Sequence, residues 1–348
     1  MVVERVLLAE PRGFCAGVEK AIKALAWMVE VFEPPVYCYH EIVHNRHVVD
    51  RFRSQGVVFV DDVDEVPAGA PLMLSAHGSA PEVVAAARSR GRVVVDAVCP
   101  LVTKVHHELK VRAGKGYAVL YVGHAGHEEA VGTMAVAPDA VHLVESVPDV
   151  DALTEPGPDQ PVALLAQTTL SHDEWAEIVD RARERFPQLW MPNRSDLCFA
   201  TTNRQAALRA LAGRADAVVV IGSENSSNTV ALTKVARAFG CPRVVLVNDA
   251  DDLPDDLEGT VAVTAGASAP ESLVRAVVER LAPAAGVEAA PVTREEEYFP
   301  PPPELRDLLR ALEAAVGFLT LAPAPSGAGA LGEDRSTSAA TVLDRLAG

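Results

Sequence analysis

Along most of the chain, short Val/Leu-rich runs alternate with longer amphipathic segments. VVVDAV at 93–98, VVFVDD, VHLVES and VVLVND are runs of the first kind; 81–90, 174–186 and 270–281 are of the second, with apolar residues returning at helical spacing. This succession predicts βα units and parallel sheets. The stretch VVVDAVCPLVTKVHH at 93–107 holds a whole unit: a buried β run, a turn carrying Cys99, then a helix. The same layout surrounds Cys15 in VLLAEPRGFCAGVEKAI and Cys198 in LWMPNRSDLCFATTNRQAALRAL.

Other features keep step with these cysteines, the mark of an internal repeat. From Cys15, Cys99 and Cys198 a polar loop follows at His44, His127 and Ser226, which is 29, 28 and 28 residues on. Asp61, Glu145 and Asn248 close the VVFVDD-like runs at 46, 46 and 50 residues. His77, Thr168 and Ser268, in SAHGSAPE, AQTTLSHDE and TAGASAPE, fall at 62, 69 and 70, each between a strand and a helix. The repeat is threefold, with a period of roughly 90 residues.

The expected fold is α/β: three pseudo-threefold-related lobes in a trefoil, each with a short, mainly parallel sheet. Their boundaries are 14–98, 99–197, and 198–282 together with an N-terminal strand at 1–13. Ligand groups gather beyond the carboxyl ends of parallel strands, where all these loops fall, so lobes with loops turned inward would share one central site. Residues 283–320 carry a charge run, four successive prolines and one helical segment near 304–316, and are expected to be a linker and C-terminal segment. The low-complexity stretch 321–348 is expected to be a disordered tail, at most with a frayed final helix. Its GAGALG satisfies GxGxxG through Gly327, Gly329 and Gly332, but prolines precede it and EDRSTS follows, so the strand and helix of a dinucleotide site are missing. Electrons for any redox reaction must then come from a separate protein.

Composition excludes several classes. A net charge of −17 without a basic stripe removes nucleic acid from the expected partners. The start MVVERVLL, with Glu4 and Arg5, is neither a signal peptide nor a membrane span. Five cysteines, an odd number without a CxxC pair, fit free thiols or cluster ligands in a reducing compartment, so the expected location is the cytoplasm.

Cys38 and Cys241 lie outside the repeat and read as small buried residues. Packing could explain Cys15, Cys99 and Cys198 as well, but their recurrence points to a metal centre. Three thiolates suit an iron-sulfur cluster or zinc, with a fourth position open to substrate or water. His44, His77, His127, Thr168, Ser226, Ser227, Asn228 and Ser268 lie in the repeated loops. Capping accounts for some of these hydroxyls and amides, since Ser, Thr and Asn are favoured N-caps and SAPE suits a capping box. It does not account for the histidines or for NSSN. Several helix N-termini aimed at one cavity would bind an anion, which suggests a phosphorylated ligand. Glu129 is the acid placed to face that cavity, as a proton donor or as a first-turn dipole partner. His106, His107 and His124 read as structural or solvated.

The blocks PRGFCAGVEKAI, HEIVHNRHVV, SAHGS, CPLVTKVH, GHAGH, QTTLS, CFATTNRQAA, NSSN and TAGASAPE, in that order, resemble the 4-hydroxy-3-methylbut-2-enyl diphosphate reductase family over residues 3–310. The resemblance implies an oxygen-sensitive [4Fe-4S] cluster at the centre of the trefoil, held by Cys15, Cys99 and Cys198. It implies substrate contacts from His44, His77, His127, Thr168, Ser226, Ser227, Asn228 and Ser268, and a proton-donor role for Glu129. It also implies an allylic diphosphate substrate, isopentenyl and dimethylallyl diphosphate as products, and an external electron donor such as ferredoxin or flavodoxin. Tyr39, Glu128, Val131 and Thr229 depart from the usual family pattern. Two rivals use the same residues differently: an open-iron hydro-lyase, which needs no electron donor, and a non-catalytic iron-sulfur sensor, which needs the cysteines but not the polar ring.

Overall fold

The computed structural model describes residues 2–154, 156–157, 160–320 and 334–346. The chain opens with β1 (Val2–Glu10), α1 (Ala16–Val31), β2 (Val36–Tyr39), α2 (Arg46–Ser54), β3 (Val57–Val60), β4 (Leu72–Leu74), α3 (Pro81–Arg90) and β5 (Val94–Asp96). It continues through α4 (Pro100–Gly114), β6 (Ala118–Val122), α5 (Glu128–Met134), β7 (Val141–Val144), α6 (Val147–Ala152), β8 (Val162–Ala166) and α7 (His172–Arg185). Then come α8 (Phe199–Ala212), β9 (Ala217–Ile221), α9 (Ser227–Ala238), β10 (Val244–Val247), β11 (Glu258–Ala265), α10 (Glu271–Leu281), β12 (Val287–Pro291), α11 (Pro303–Thr320) and α12 (Ala339–Arg345).

Three short sheets, parallel throughout, have the orders β3-β2-β4-β5, β7-β6-β8 and β10-β9-β11-β1-β12. The repeat is visible in this order. After each cysteine the next three strands pair second-first-third, and the stretch leading into a cysteine lies beside a third strand: β1 beside β11, β5 beside β4, and Trp190 beside Ala163 of β8. Before Cys198 that stretch is a single bridge rather than the expected β run. Pro192, which has no N–H, and the polar NRSD that follows cannot extend a ladder.

The described chain separates into two compact units: Met1–Cys15 with Leu101–Glu295, and Ala16–Pro100 with Glu296–Gly348. The larger unit contains two of the sheets, and the smaller contains β2–β5. Central strands are buried on both faces, so they read as unbroken apolar runs: AVLYV in β6, VALLA in β8, AVVVI in β9. Side-chain alternation divides them between two cores. In β9, Ala217, Val219 and Ile221 pack with Val274 and Val277 of α10, while Val218 and Val220 pack with Leu208 and Leu211 of α8.

The C-terminal region differs from expectation in two places. Within 283–295, β12 adds an edge strand to β1, with Ala285 N donating to Glu4 O at 2.6 Å. Its five residues alternate exposed and half-buried, too weak a pattern to mark a strand beside prolines. Residues 334–346, expected to be disordered, include α12 and pack on α1, with Ala339 buried and its N–H donating to Glu19 Oε2 at 2.7 Å. Gly327, Gly329 and Gly332 lie outside the described residues. The helical segment expected near 304–316 is α11, whose Leu305 and Leu309 are buried.

Candidate active site

In the larger unit, hydrogen bonds run without interruption from Glu129 to Cys15. Glu129, at the start of α5 and 3% exposed, accepts from Thr168 N at 2.7 Å and from Thr168 Oγ1 at 2.9 Å. Thr168 O accepts from Cys198 N at 3.1 Å. Cys198 caps α8 through its sulfur, which accepts from Thr201 N at 3.3 Å and lies 3.1 Å from Thr201 Oγ1. Asn228 donates to Thr201 Oγ1 at 3.3 Å and accepts from Ala267 N at 2.9 Å. Ala267 O in turn accepts from Cys15 N at 3.2 Å. The path therefore joins the loops after β1, β8, β9 and β11, all at strand carboxyl ends, where parallel sheets present ligand groups.

Local rules explain the parts. Gly13 has φ +65°, a backbone that a side chain strains, and its N–H donates to Ala265 O at 3.2 Å. Gly266 must be glycine for a different reason, because a Cβ there would overlap the Thr229 hydroxyl. His127 caps α5 through Nδ1, which accepts from Glu129 N at 3.1 Å. That bond leaves the imidazole proton on Nε2, as a donor.

Burial pushes the Cys198 thiol up to about 11, and the neighbouring Cys15 thiol adds to the shift against the opposing Thr201 hydrogen bonds. Cys198, partly exposed and with Cys15 as its neighbour, is a soft donor whose ionisation is disfavoured in the metal-free protein. A cationic metal centre, which deprotonates coordinating thiols, removes that penalty. The residues fit a thiolate-held metal group.

The capping alternative holds for some candidates and fails for others. Asn45 and Ser226 do cap α2 and α9. The SAPE serines do not: Ala80 and Pro270 occupy the caps of α3 and α10, without side-chain bonds. Ser268 is nevertheless 6% exposed. Ser227 Oγ donates to Thr169 O at 3.3 Å and accepts from Gln167 at 3.1 Å. Gln167, fully buried, also bonds His124 N at 3.0 Å and Thr169 Oγ1 at 3.0 Å, making it a hub that the sequence pattern did not single out. Its position at a strand end next to two threonines was the available signal.

His44, His77 and Cys99 belong to the smaller unit. There the rings of His44 and His77 stack at 3.9 Å with 15° between planes, and Ser75 Oγ lies 3.4 Å from His77 Nδ1. The loop of Cys99 is fixed by Cys99 N donating to Ala76 O at 3.0 Å, and by Lys20 Nζ donating to Val98 O at 2.7 Å. Burial lowers the Lys20 pKa, opposed by the nearby Cys99 and Asp96. Cys38 and Cys241 are buried, while Cys15, Cys99 and Cys198 are partly exposed.

The LytB protein family model matches residues 6–282. A 4-hydroxy-3-methylbut-2-enyl diphosphate reductase of Mycolicibacterium paratuberculosis is 52% identical over 308 residues, 87% of this chain and 92% of that protein. One from Rhodopirellula baltica is 48% identical over 312 residues, covering 88% and 97%. The solved E-1-hydroxy-2-methyl-but-2-enyl-4-diphosphate reductase of Plasmodium falciparum superposes with a TM-score of 0.86 at 33% identity, over 90% of this chain and all of that one. Among the described residues, no helix is long and apolar enough to cross a membrane.

Proposed function

Since the chain belongs to the LytB family of 4-hydroxy-3-methylbut-2-enyl diphosphate reductases, we propose that it removes the allylic hydroxyl of (E)-4-hydroxy-3-methylbut-2-enyl diphosphate. Two electrons and two protons are consumed, the C–O bond breaks, water leaves, and isopentenyl and dimethylallyl diphosphate form, the last step of the non-mevalonate isoprenoid pathway. We assign Cys15, Cys99 and Cys198 as ligands of a [4Fe-4S] cluster, which when bound supplies electron transfer and a Lewis-acidic iron. The electrons come from a separate carrier such as ferredoxin or flavodoxin, in the cytoplasm.

The chain's own residues do the rest. Both Glu129 oxygens face Thr168, so a proton held on the carboxyl at Oε2 can pass to Thr168 Oγ1 as that hydroxyl gives up its own. His127 Nε2–H, the first turn of α9 with Ser226, Ser227 and Asn228, and Ser268 are assigned to the diphosphate, together with His44 and His77. Neutral donors and a helix N-terminus bind such an anion with little help from lysines and arginines, which are nearly absent from these loops. The low exposure of Glu129 excludes bulk water from the proton it holds.

The observation that carries this reading is the unbroken hydrogen-bonded path from Glu129 through Cys198 to Cys15. The test is anaerobic purification with iron and sulfide analysis, then addition of the diphosphate substrate with and without a chemical reductant. A cluster spectrum that changes with substrate, and turnover that requires reductant, are expected. Turnover without reductant would identify a hydro-lyase, and a cluster unmoved by substrate would identify a sensor.

A further inference from the structure

Arg204 is fully buried on the second turn of α8, six residues after Cys198. Its Nε and Nη2 donate to Gly13 O at 3.0 and 2.7 Å, and Nη2 also donates to Phe14 O at 3.1 Å. Its Nη1 donates to Ala200 O at 3.0 Å and to the two Glu295 carboxylate oxygens at 2.9 and 3.1 Å. Asn203 holds the same carboxylate at 3.0 Å. The whole donor fork is thereby used, and the charge is matched by Glu295, whose side chain is 15% exposed.

The two carbonyls of Gly13 and Phe14 belong to the residues directly before Cys15, and Ala200 lies in the first turn of the helix that Cys198 caps. One rigid planar group therefore bridges the backbones that carry two of the three cysteines. On the other side the Cys15 loop is held by Ala265 O and Ala267 O. The loop is thus clamped from two directions: through Ala267 it reaches Cys198 by way of the Asn228 and Thr201 side chains, whereas Arg204 joins it to the backbone of the helix that Cys198 caps in a single step.

We propose that Arg204 and Glu295 are a positioning pair that sets Cys15 against Cys198, and so fixes the geometry and retention of the metal group these cysteines hold. The proposal rests on the cluster assignment above. Lysine cannot replace the arginine, since a single ammonium cannot reach three carbonyls in a fixed plane. Glu295→Gln keeps the shape of the contact but leaves a buried cation near the thiolates without its counter-charge.

The experiment compares wild type, Arg204→Lys, Glu295→Gln and the control Arg209→Lys, all purified anaerobically as full chains. Arg209 is on the same helix but pairs with Asp173 at the surface. Iron release to a chelator, the cluster's electron paramagnetic resonance spectrum, its midpoint potential and thermal unfolding are measured. Arg204→Lys should release iron ~10-fold to 100-fold faster than wild type, the usual range for supports behind a metal ligand, with an altered spectrum. Glu295→Gln should raise the midpoint potential, because an uncompensated cation favours the reduced cluster. Arg209→Lys should match wild type throughout. A wild type that binds no cluster would refute the underlying assignment. A wild type with a cluster, beside variants whose only change is a lower unfolding temperature, would overturn the positioning role. If Arg204→Lys does not fold, the potential of Glu295→Gln decides alone: unchanged, it refutes the proposal.

Discussion

Each unit contains a buried cation that draws distant segments together, and the two are built differently. In the larger unit Arg204 directs its fork to Gly13, Phe14, Ala200 and Glu295. In the smaller unit Lys23 Nζ bonds Asp334 O at 2.7 Å, Asp334 Oδ2 at 3.2 Å and Thr337 O at 3.4 Å, while Tyr298 donates to the same carboxylate at 2.8 Å. A guanidinium fixes the mutual orientation of what it binds, whereas an ammonium on a flexible stem is a point charge that holds a segment down. The first arrangement suits a site whose cysteines must keep their places. The second fastens residues 334–346, beyond the 6–282 that the family model matches, onto α1. Ordering of the active site and plain docking are thus separable, and perturbing each should move different measurements.

The largest effects should come from the cysteines themselves. Cys198→Ser, like Cys15→Ser and Cys99→Ser, is expected to abolish or cripple cluster content by iron and sulfide analysis, while Cys38→Ser and Cys241→Ser keep it. Equal iron loss in Cys241→Ser would dissolve the distinction between site and packing residues. Next is Glu129→Gln, which keeps hydrogen bonding to Thr168 but supplies no acidic proton. Steady-state reduction should fall on the order of 100-fold to 10,000-fold, with cluster and substrate binding retained. Near-normal turnover, with electron delivery shown not to limit the wild type, would pass the role to His127 or Thr168.

On the docking side, Asp334→Ala removes the carboxylate in contact with the buried Lys23 ammonium and leaves its two backbone carbonyl bonds, and should cost about 3 kcal/mol in denaturant unfolding. Its iron content and turnover per folded molecule should match wild type; a lost cluster would show that the tail supports the site. Removing residues 334–348 altogether should cost less than the point substitution, because water then reaches Lys23. The double change Lys23→Met with Asp334→Leu should recover most of the loss.

The smallest effect concerns a half-buried base without a matching anion. Burial holds His106 down to about 4 against an ordinary 6.5, and its Nε2 has no hydrogen-bond partner among the described residues. The unfolded chain therefore binds this proton more readily, and stability is lost as pH falls from 6.5 toward 4. The loss between pH 7 and pH 5 should be about 2 kcal/mol. His106→Gln should flatten that part of the stability profile; an unchanged slope would assign the acid sensitivity elsewhere.

The repeat, the α/β class, and the position of each cysteine just before a helix were legible in the sequence, with a strand before Cys15 and Cys99 but only a single bridge before Cys198. These follow from signals confined to a few tens of residues: apolar runs, amphipathic spacing, and polar loops at constant offsets from Cys15, Cys99 and Cys198. The resemblance of its motif blocks to a known family supplied the roles proposed for Glu129 and the polar ring.

Partnerships between positions far apart in the chain emerged only on folding. Arg204 looks in sequence like any basic residue on a helix, and only its meeting with Gly13, 191 residues away, makes it a clamp. Lys23 and Asp334 are separated by 311 residues, through a stretch too rich in Ala, Pro and Gly to suggest docking. Gln167 became a hub because β8 ends where the loops of β6 and β9 converge, and β12 formed because the edge of β1 was free to accept it. Local pattern fixes which face of an element is apolar; which buried polar group finds which partner depends on chain closure, and that is settled only when the elements are assembled.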